Sequence, residues 1–219
     1  MDIDKQRLII AAAEDYVRSL FGEDATGHDD LHVFRVRDKA LFISRSEPRT
    51  CDTFLVELGA LLHDVGDHKL FKRNAADMIT EFLTGLDSPK ELISKCVQIA
   101  EEISFKGAGV ETKMSTFEGE VIQDADRLDA LGAVGIARTF AYGGAKGRPM
   151  YRPEIKPERH DSFEEYKKSV GPTINHFYEK LLLLKDQMNT RTGKKMAGES
   201  HQFMLDFLDR FYAEWEGRA

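Results

Sequence analysis

Cysteine is scarce in this 219-residue chain, with Cys51 and Cys96 the two present. Their spacing offers neither a zinc knuckle nor a disulfide framework, so the fold must rest on packing. Proline is nearly as sparse, six in all, and three of them (Pro149, Pro153 and Pro157) fall in one stretch. Long apolar runs are missing. Mean hydropathy is −0.41, and no segment approaches the ~20 apolar residues of a membrane span. Positive charge is also short: 31 Lys and Arg face 38 Asp and Glu, a net charge of −7. That balance argues against a general binder of nucleic acid polymers. It leaves room for a small anionic substrate held by a few local cations. The start, Met1-Asp2-Ile3-Asp4-Lys5, is acidic and leads into an amphipathic segment, unlike a secretory signal. A soluble, reduced, cytoplasmic chain is the expectation, with no membrane partner. Alternating runs of β-branched residues are absent too, which predicts an all-α fold.

What is present is helical periodicity. Ile9, Ala12, Ala13, Tyr16, Val17 and Leu20 form one stripe, predicting a helix over residues 4–20. A second helix is expected from His28 to about Ser44, with Leu31, Phe34 and Leu41 on its apolar side together with His32 and Arg35. A third runs from near Asp52 to Val65, Asn74 caps a fourth reaching about Leu83, and Pro89 opens a fifth. Phe105 to Met114 reads as a loop. A helix follows from about Thr116 to Phe140, broken near Gly132 or Gly135. Tyr142 to Pro157 reads as irregular. Ile174, Phe177, Tyr178, Leu181 and Leu182 predict a further helix, and about Gly193 to Trp215 the last.

The chain is organised around Leu61-Leu62-His63-Asp64-Val65-Gly66, where an apolar helical run ends in an imidazole beside a carboxylate. Charge at the inner end of a buried helix is costly unless paired or bound to a metal. His32 and His28 lie one turn apart upstream. Downstream, Asp124, Asp126 and Asp129 are embedded among Val121, Ile122, Ala125, Leu128 and Leu131. A cation is one way to compensate such acids; ion pairs to Arg127 or Arg138 are the other.

With these residues in place, the chain resembles the HD-domain metal-dependent phosphohydrolases, because His32, His63-Asp64 and Asp126 follow the family's H…HD…D order. Gly27-His28-Asp29, Arg35-Val36, Gln123 through Gly144, Phe177-Tyr178-Glu179-Lys180-Leu181-Leu182 and Met188-Asn189-Thr190 look like one bacterial subgroup. Characterised members of that subgroup are similar to nucleoside triphosphate pyrophosphohydrolases. The resemblance implies an HD-domain helical bundle over residues 1–219. Its metal core would span about 28–140, with the loop 142–157 and the C-terminal helices 172–216 packed on it. It also implies metal ligation by His32, His63, Asp64 and Asp126.

Two imidazoles and two carboxylates suit one divalent ion, Mn²⁺ by preference, with Mg²⁺, Fe²⁺, Ni²⁺ or Zn²⁺ as alternatives. The resemblance gives Asp67 the role of general acid or base. His28 could orient the substrate or protonate the leaving group, and Arg35 could pair with Asp126 or Asp64 or touch the substrate. Lys69, Lys106, Lys146 and Arg148 are the candidates for phosphate, the last two in the glycine-rich segment 143–148.

The expected reaction is hydrolysis of a nucleoside triphosphate to monophosphate and pyrophosphate. The alternatives are a nucleoside monophosphate phosphatase or phosphodiesterase, and a non-catalytic nucleotide-sensing module. A di-iron oxygenase would need more histidines than His68 between Asp64 and Asp126. A small-molecule nucleotide is the expected partner, and a homodimer is left open.

Overall fold

The computed structural model describes residues 1–22, 29–66, 71–103, 112–158 and 171–219. Among them there are nine α-helices, one 3-10 segment and no strand, as the missing β alternation predicts. No helix among the described residues is long and apolar enough to cross a membrane. Described residues up to Ala125 form one compact unit, and those from Asp126 onward a second.

In the first unit, helix α1 (Ile3–Phe21) buries Ile9, Ala13, Val17 and Phe21, while the Asp2 side chain caps it by accepting from the Lys5 N–H. Helix α2 (Asp30–Ser46) is capped in the same way by Asp29 and α3 (Thr53–Leu62) by Asp52. Such side-chain oxygens satisfy N–H groups that a helix start leaves open. Helix α3 buries Leu55, Val56, Leu58, Gly59, Ala60, Leu61 and Leu62 and packs on α1, α2 and α5. A helix apolar on nearly every side belongs in a core.

Helix α4 (Ala75–Gly85) starts on the predicted Asn74 cap and packs on α5 (Lys90–Glu102), which Pro89 opens. Helix α6 (Phe117–Asp129) begins in this unit. Its Ile122 lies so near α3 that a Cβ on Gly59 would stand 2.7 Å from Ile122 Cδ1, which is why α3 carries no side chain there.

Three expectations need correction here. On α2, Leu31 is exposed, and the buried set is Val33, Val36, Ala40 and Ile43 with His32. Both sets fit a helical period, but the first has no member between Phe34 and Leu41, whereas the second leaves no turn without one and takes the core. Phe34 lies instead between the guanidiniums of Arg18 and Arg37, at 4.9 and 5.3 Å from its ring centroid. Helix α3 ends at Leu62, before the expected Val65, and residues 63–66 form a turn. Gly66 closes that turn at φ 79°, where an L side chain is strained.

The second unit contains α7 (Gly132–Ala145), α8 (Asn175–Glu179), the 3-10 segment Leu181–Gln187 and α9 (Arg191–Trp215). The predicted break before α7 falls at residues 130–131. Helix α7 continues through Tyr142 to Ala145, so the irregular stretch starts later than expected: two adjacent glycines did not stop a helix already held by its packing. The helix expected across residues 174–182 is instead a short α-helix followed by a 3-10 turn, with Lys180 at φ −141° between them. Ile174, Phe177 and Leu181 are buried all the same. Helix α9 packs on α7 and on the 3-10 segment, and Phe140, Phe177, Phe207 and Phe211 form an aromatic cluster with centroid spacings of 6.0 to 6.3 Å.

Gly66→Ala forces a Cβ into the backbone of Asn74 and Ala75 at a positive φ. The expected cost is about 1–3 kcal/mol, read as a lower urea midpoint with an unchanged slope.

Candidate metal centre

Two helices of the first unit bring imidazoles together. His32 stands in the first turn of α2, where its own N–H is held by Asp29 Oδ1 at 2.8 Å. His63 follows the last residue of α3. The two rings are 2% and 3% exposed, with centroids 5.4 Å apart and planes at 69°. His63 Nδ1 is 2.7 Å from the Ala60 carbonyl. A carbonyl oxygen only accepts, so Nδ1 carries the proton and, in the neutral ring, Nε2 presents its lone pair. Backbone orientation of this kind selects the tautomer a metal requires.

Asp64 lies across both rings. Its Oδ2 is 3.4 Å from His32 Nε2 and its Oδ1 is 3.5 Å from His63 Nε2, with the side chain 17% exposed. Asp126 is half-buried on α6, an unbroken helix whose earlier turns belong to the first unit. One ligand atom from each of His32, His63 and Asp126 lies within 4.8 Å of the others, a spacing that could hold a metal ion. Asp126 sits one turn beyond Ile122, the residue packed against Gly59 of α3. Earlier turns of α6 are held by Glu118, which accepts from the Asp52 N–H at 3.0 Å, and by Gln123, which donates to the Thr112 carbonyl at 3.3 Å.

The donor set fits a divalent cation. Two imidazoles and a carboxylate, from His32, His63 and Asp126, are the nitrogen and oxygen donors that such an ion takes.

The neighbouring acid of the Asp126 run is handled differently. Asp129, fully buried, accepts from Arg138 Nη1 at 2.8 Å, the ion-pair solution left open for it. Arg127 instead donates to the Gln187 carbonyl. Asp124 is also fully buried. Arg35 is half-buried on α2, one turn after His32. Lys146 and Arg148 come together in the second unit on the ring of Tyr142, at 5.6 and 5.9 Å from its centroid. His28, Asp67, Lys69 and Lys106 lie outside the described residues.

Two contributors escaped the sequence reading. The Ala60 carbonyl is a backbone group and leaves no mark in residue type. The Asp29 cap was legible in principle, as an acid three residues before His32 at a helix start.

The fold finds its counterparts in known proteins. The chain is 39% identical over 196 residues to the Bacillus subtilis protein YpgQ, covering 88% of this chain and 87% of that one. A crystal structure of YpgQ in complex with ADP matches with a TM-score of 0.76 at 34% identity, over 96% of both chains. An HD-superfamily hydrolase from Bacillus thuringiensis matches with a TM-score of 0.74 at 39% identity, over 96% of this chain and 98% of that one. A Lactobacillus plantarum protein reaches a TM-score of 0.84 at 33% identity, over 99% and 100%. No family model matches the chain. The class is that of a metal-dependent hydrolase built from helices. The chain belongs to the HD superfamily of hydrolases.

Arg138→Ala strips the buried Asp129 carboxylate of its guanidinium. A loss of about 3–5 kcal/mol in unfolding free energy is expected by urea titration, as for other broken buried pairs. Lys95→Ala, which removes an exposed partner of Glu91, should leave the urea midpoint essentially unchanged.

Proposed function

We propose that this protein is a nucleotide phosphohydrolase that converts a nucleoside triphosphate and water into the monophosphate and pyrophosphate. The convergence of His32, His63 and Asp126, with Asp64 lying against both imidazoles, is the observation that carries the reading. The nucleotide class is supported by the complex of YpgQ with ADP.

In this reading His32, His63, Asp64 and Asp126 hold one divalent cation, Mn²⁺ being favoured. Such an ion, when bound, polarises a phosphoryl oxygen and acidifies a water. The chain's own groups do the rest. Ala60 keeps the His63 ring in one tautomer, so its lone pair needs no reorientation. Asp64 and Asp126 supply two negative charges, which leaves the loaded centre near neutral and tolerant of a polyphosphate. Asp67 accepts the proton of the attacking water, and His28 orients the substrate or protonates the leaving group. Arg35 either steadies a carboxylate of the centre or touches the substrate. Lys69, Lys106, Lys146 and Arg148 neutralise phosphate oxygens, with the Arg148 guanidinium suited to two at once.

The test is product analysis on a panel of nucleoside tri- and monophosphates with Mn²⁺, Mg²⁺, Fe²⁺, Ni²⁺ and Zn²⁺. Monophosphate and pyrophosphate in equal amounts are expected, with one metal bound per chain. Orthophosphate released from monophosphates alone would shift the assignment to a phosphatase, and two irons per chain would displace hydrolysis. His63→Ala should abolish turnover and metal retention. Chelation should abolish turnover of the unaltered protein and lower its melting temperature, since an ion bound only by the native state stabilises it.

A further inference from the structure

In the first unit, where α1 packs on α3, residues of both helices line a cleft of about 420 Å³. Small-molecule sites run from about 300 to 1,000 Å³, so the space is of ligand size. Ile3, Arg7, Ile10 and Glu14 share one stripe of α1, and Phe54 and Glu57 stand a turn apart on α3. None of the lining residues belongs to the metal cluster. Helix α3 enters the cleft with its first half and presents His63 only after its last residue.

The lining is apolar at Ile3, Ile10, Ala11 and Phe54, and its charges are unevenly matched. Arg7 stands 3.7 Å from Asp4. Glu14 is held by Arg37 at 2.5 Å and by Arg18 at 3.3 Å, and Arg37 reaches on to Asp38 at 2.9 Å. Glu57 is half-buried and takes no hydrogen bond or ion pair among the described residues. The charged groups that act on it are Glu14 of α1 and Arg37, Asp38 and Arg45 of α2. With Glu57 itself, three acids meet two guanidiniums, which leaves one negative charge over. Burial pushes the Glu57 carboxyl above the ordinary glutamate value, against the pull of Arg37. A carboxylate half out of water beside an apolar wall lacks what an organic cation brings.

We infer that this cleft binds a small organic ammonium ion, its charged head on Glu57 and its apolar body along Ile10, Ala11 and Phe54. A metal ion would leave the apolar wall bare. An anion would meet two carboxylates, and a neutral apolar molecule would leave Glu57 without a partner. The cleft stands whether or not a nucleotide is the substrate.

The probe is phenethylammonium chloride, titrated calorimetrically into the full chain at neutral pH with and without Mn²⁺, beside phenethyl alcohol and ammonium chloride. Phenethylammonium should bind equally in both conditions, and the other two should bind at least tenfold more weakly. Glu57→Gln, which keeps the shape and removes the charge, should weaken it by about tenfold or more. Ala11→Phe, which keeps Glu57 and fills the space, should abolish binding. Glu101→Gln, an exposed acid on α5, should change nothing. No binding of phenethylammonium would overturn the site, as would phenethyl alcohol binding as well or a requirement for Mn²⁺. So would affinity indifferent to Glu57→Gln or to Ala11→Phe. Melting curves identify a variant that fails to fold, and the near-isosteric Glu57→Gln then decides alone.

Discussion

Taking a carboxylate out of water costs several kcal/mol unless something compensates it, and an imidazole facing one must be aimed correctly. This protein sets Asp64 against two almost fully buried imidazoles, and the surrounding helices are arranged around that demand. Helix α3 is apolar nearly all round, so it is driven into the core, and it stops at Leu62 so that the next two residues are His63 and Asp64. Ending there leaves late carbonyls of α3 without helical partners. One of them, at Ala60, accepts a hydrogen bond from His63 Nδ1–H, while His63 Nε2 faces Asp64. The end of a helix thus serves as the orienting device for the chemistry.

The same economy governs the partners. The Asp29 cap fixes the start of α2, and His32 lies in its first turn with its own backbone N–H held by that cap. On α6, Asp126 and Asp129 lie three residues apart on one face of the helix, yet they meet different fates because different groups stand opposite them. Asp129 is satisfied by Arg138, whereas Asp126 belongs to the histidine cluster. A run of acids in an apolar helix is therefore not one feature. Each member is compensated by whatever stands opposite it.

In the second unit the constraint is of another kind. Aromatic packing of Phe140, Phe177, Phe207 and Phe211 holds α7, α8 and α9, and the polar groups lie beside that cluster. Backbone hydrogen bonds join the turn after α7 to the approach to α8, and just beyond it burial, followed by the charges of Lys180 and Arg148, pushes His176 down to about 3. A histidine held neutral chiefly by burial does not change its state across physiological pH.

Residue type and period alone determined that the chain is helical, where α1, α4, α5 and α9 lie, and that His32, His63, Asp64 and the acids at 124, 126 and 129 merit attention, whereas the choice of Asp126 among them came from the family resemblance. Periodicity reads these helices well because each buries one continuous stripe, and caps such as Asn74 depend on neighbours a turn away. Tertiary structure decided what local pattern leaves degenerate. On α2, two apolar sets satisfy the same period, and packing chose Val33, Val36, Ala40 and Ile43 over Leu31. Between Ile174 and Leu182, the buried positions suit an α-helix, yet the backbone breaks at Lys180. Whether an acid meets a guanidinium or an imidazole depends on residues remote in the chain. So does the tautomer of His63, set by a carbonyl that no side-chain pattern records. Sequence states which groups need a partner, and only the packed fold, by bringing distant helices within a few ångströms, supplies one.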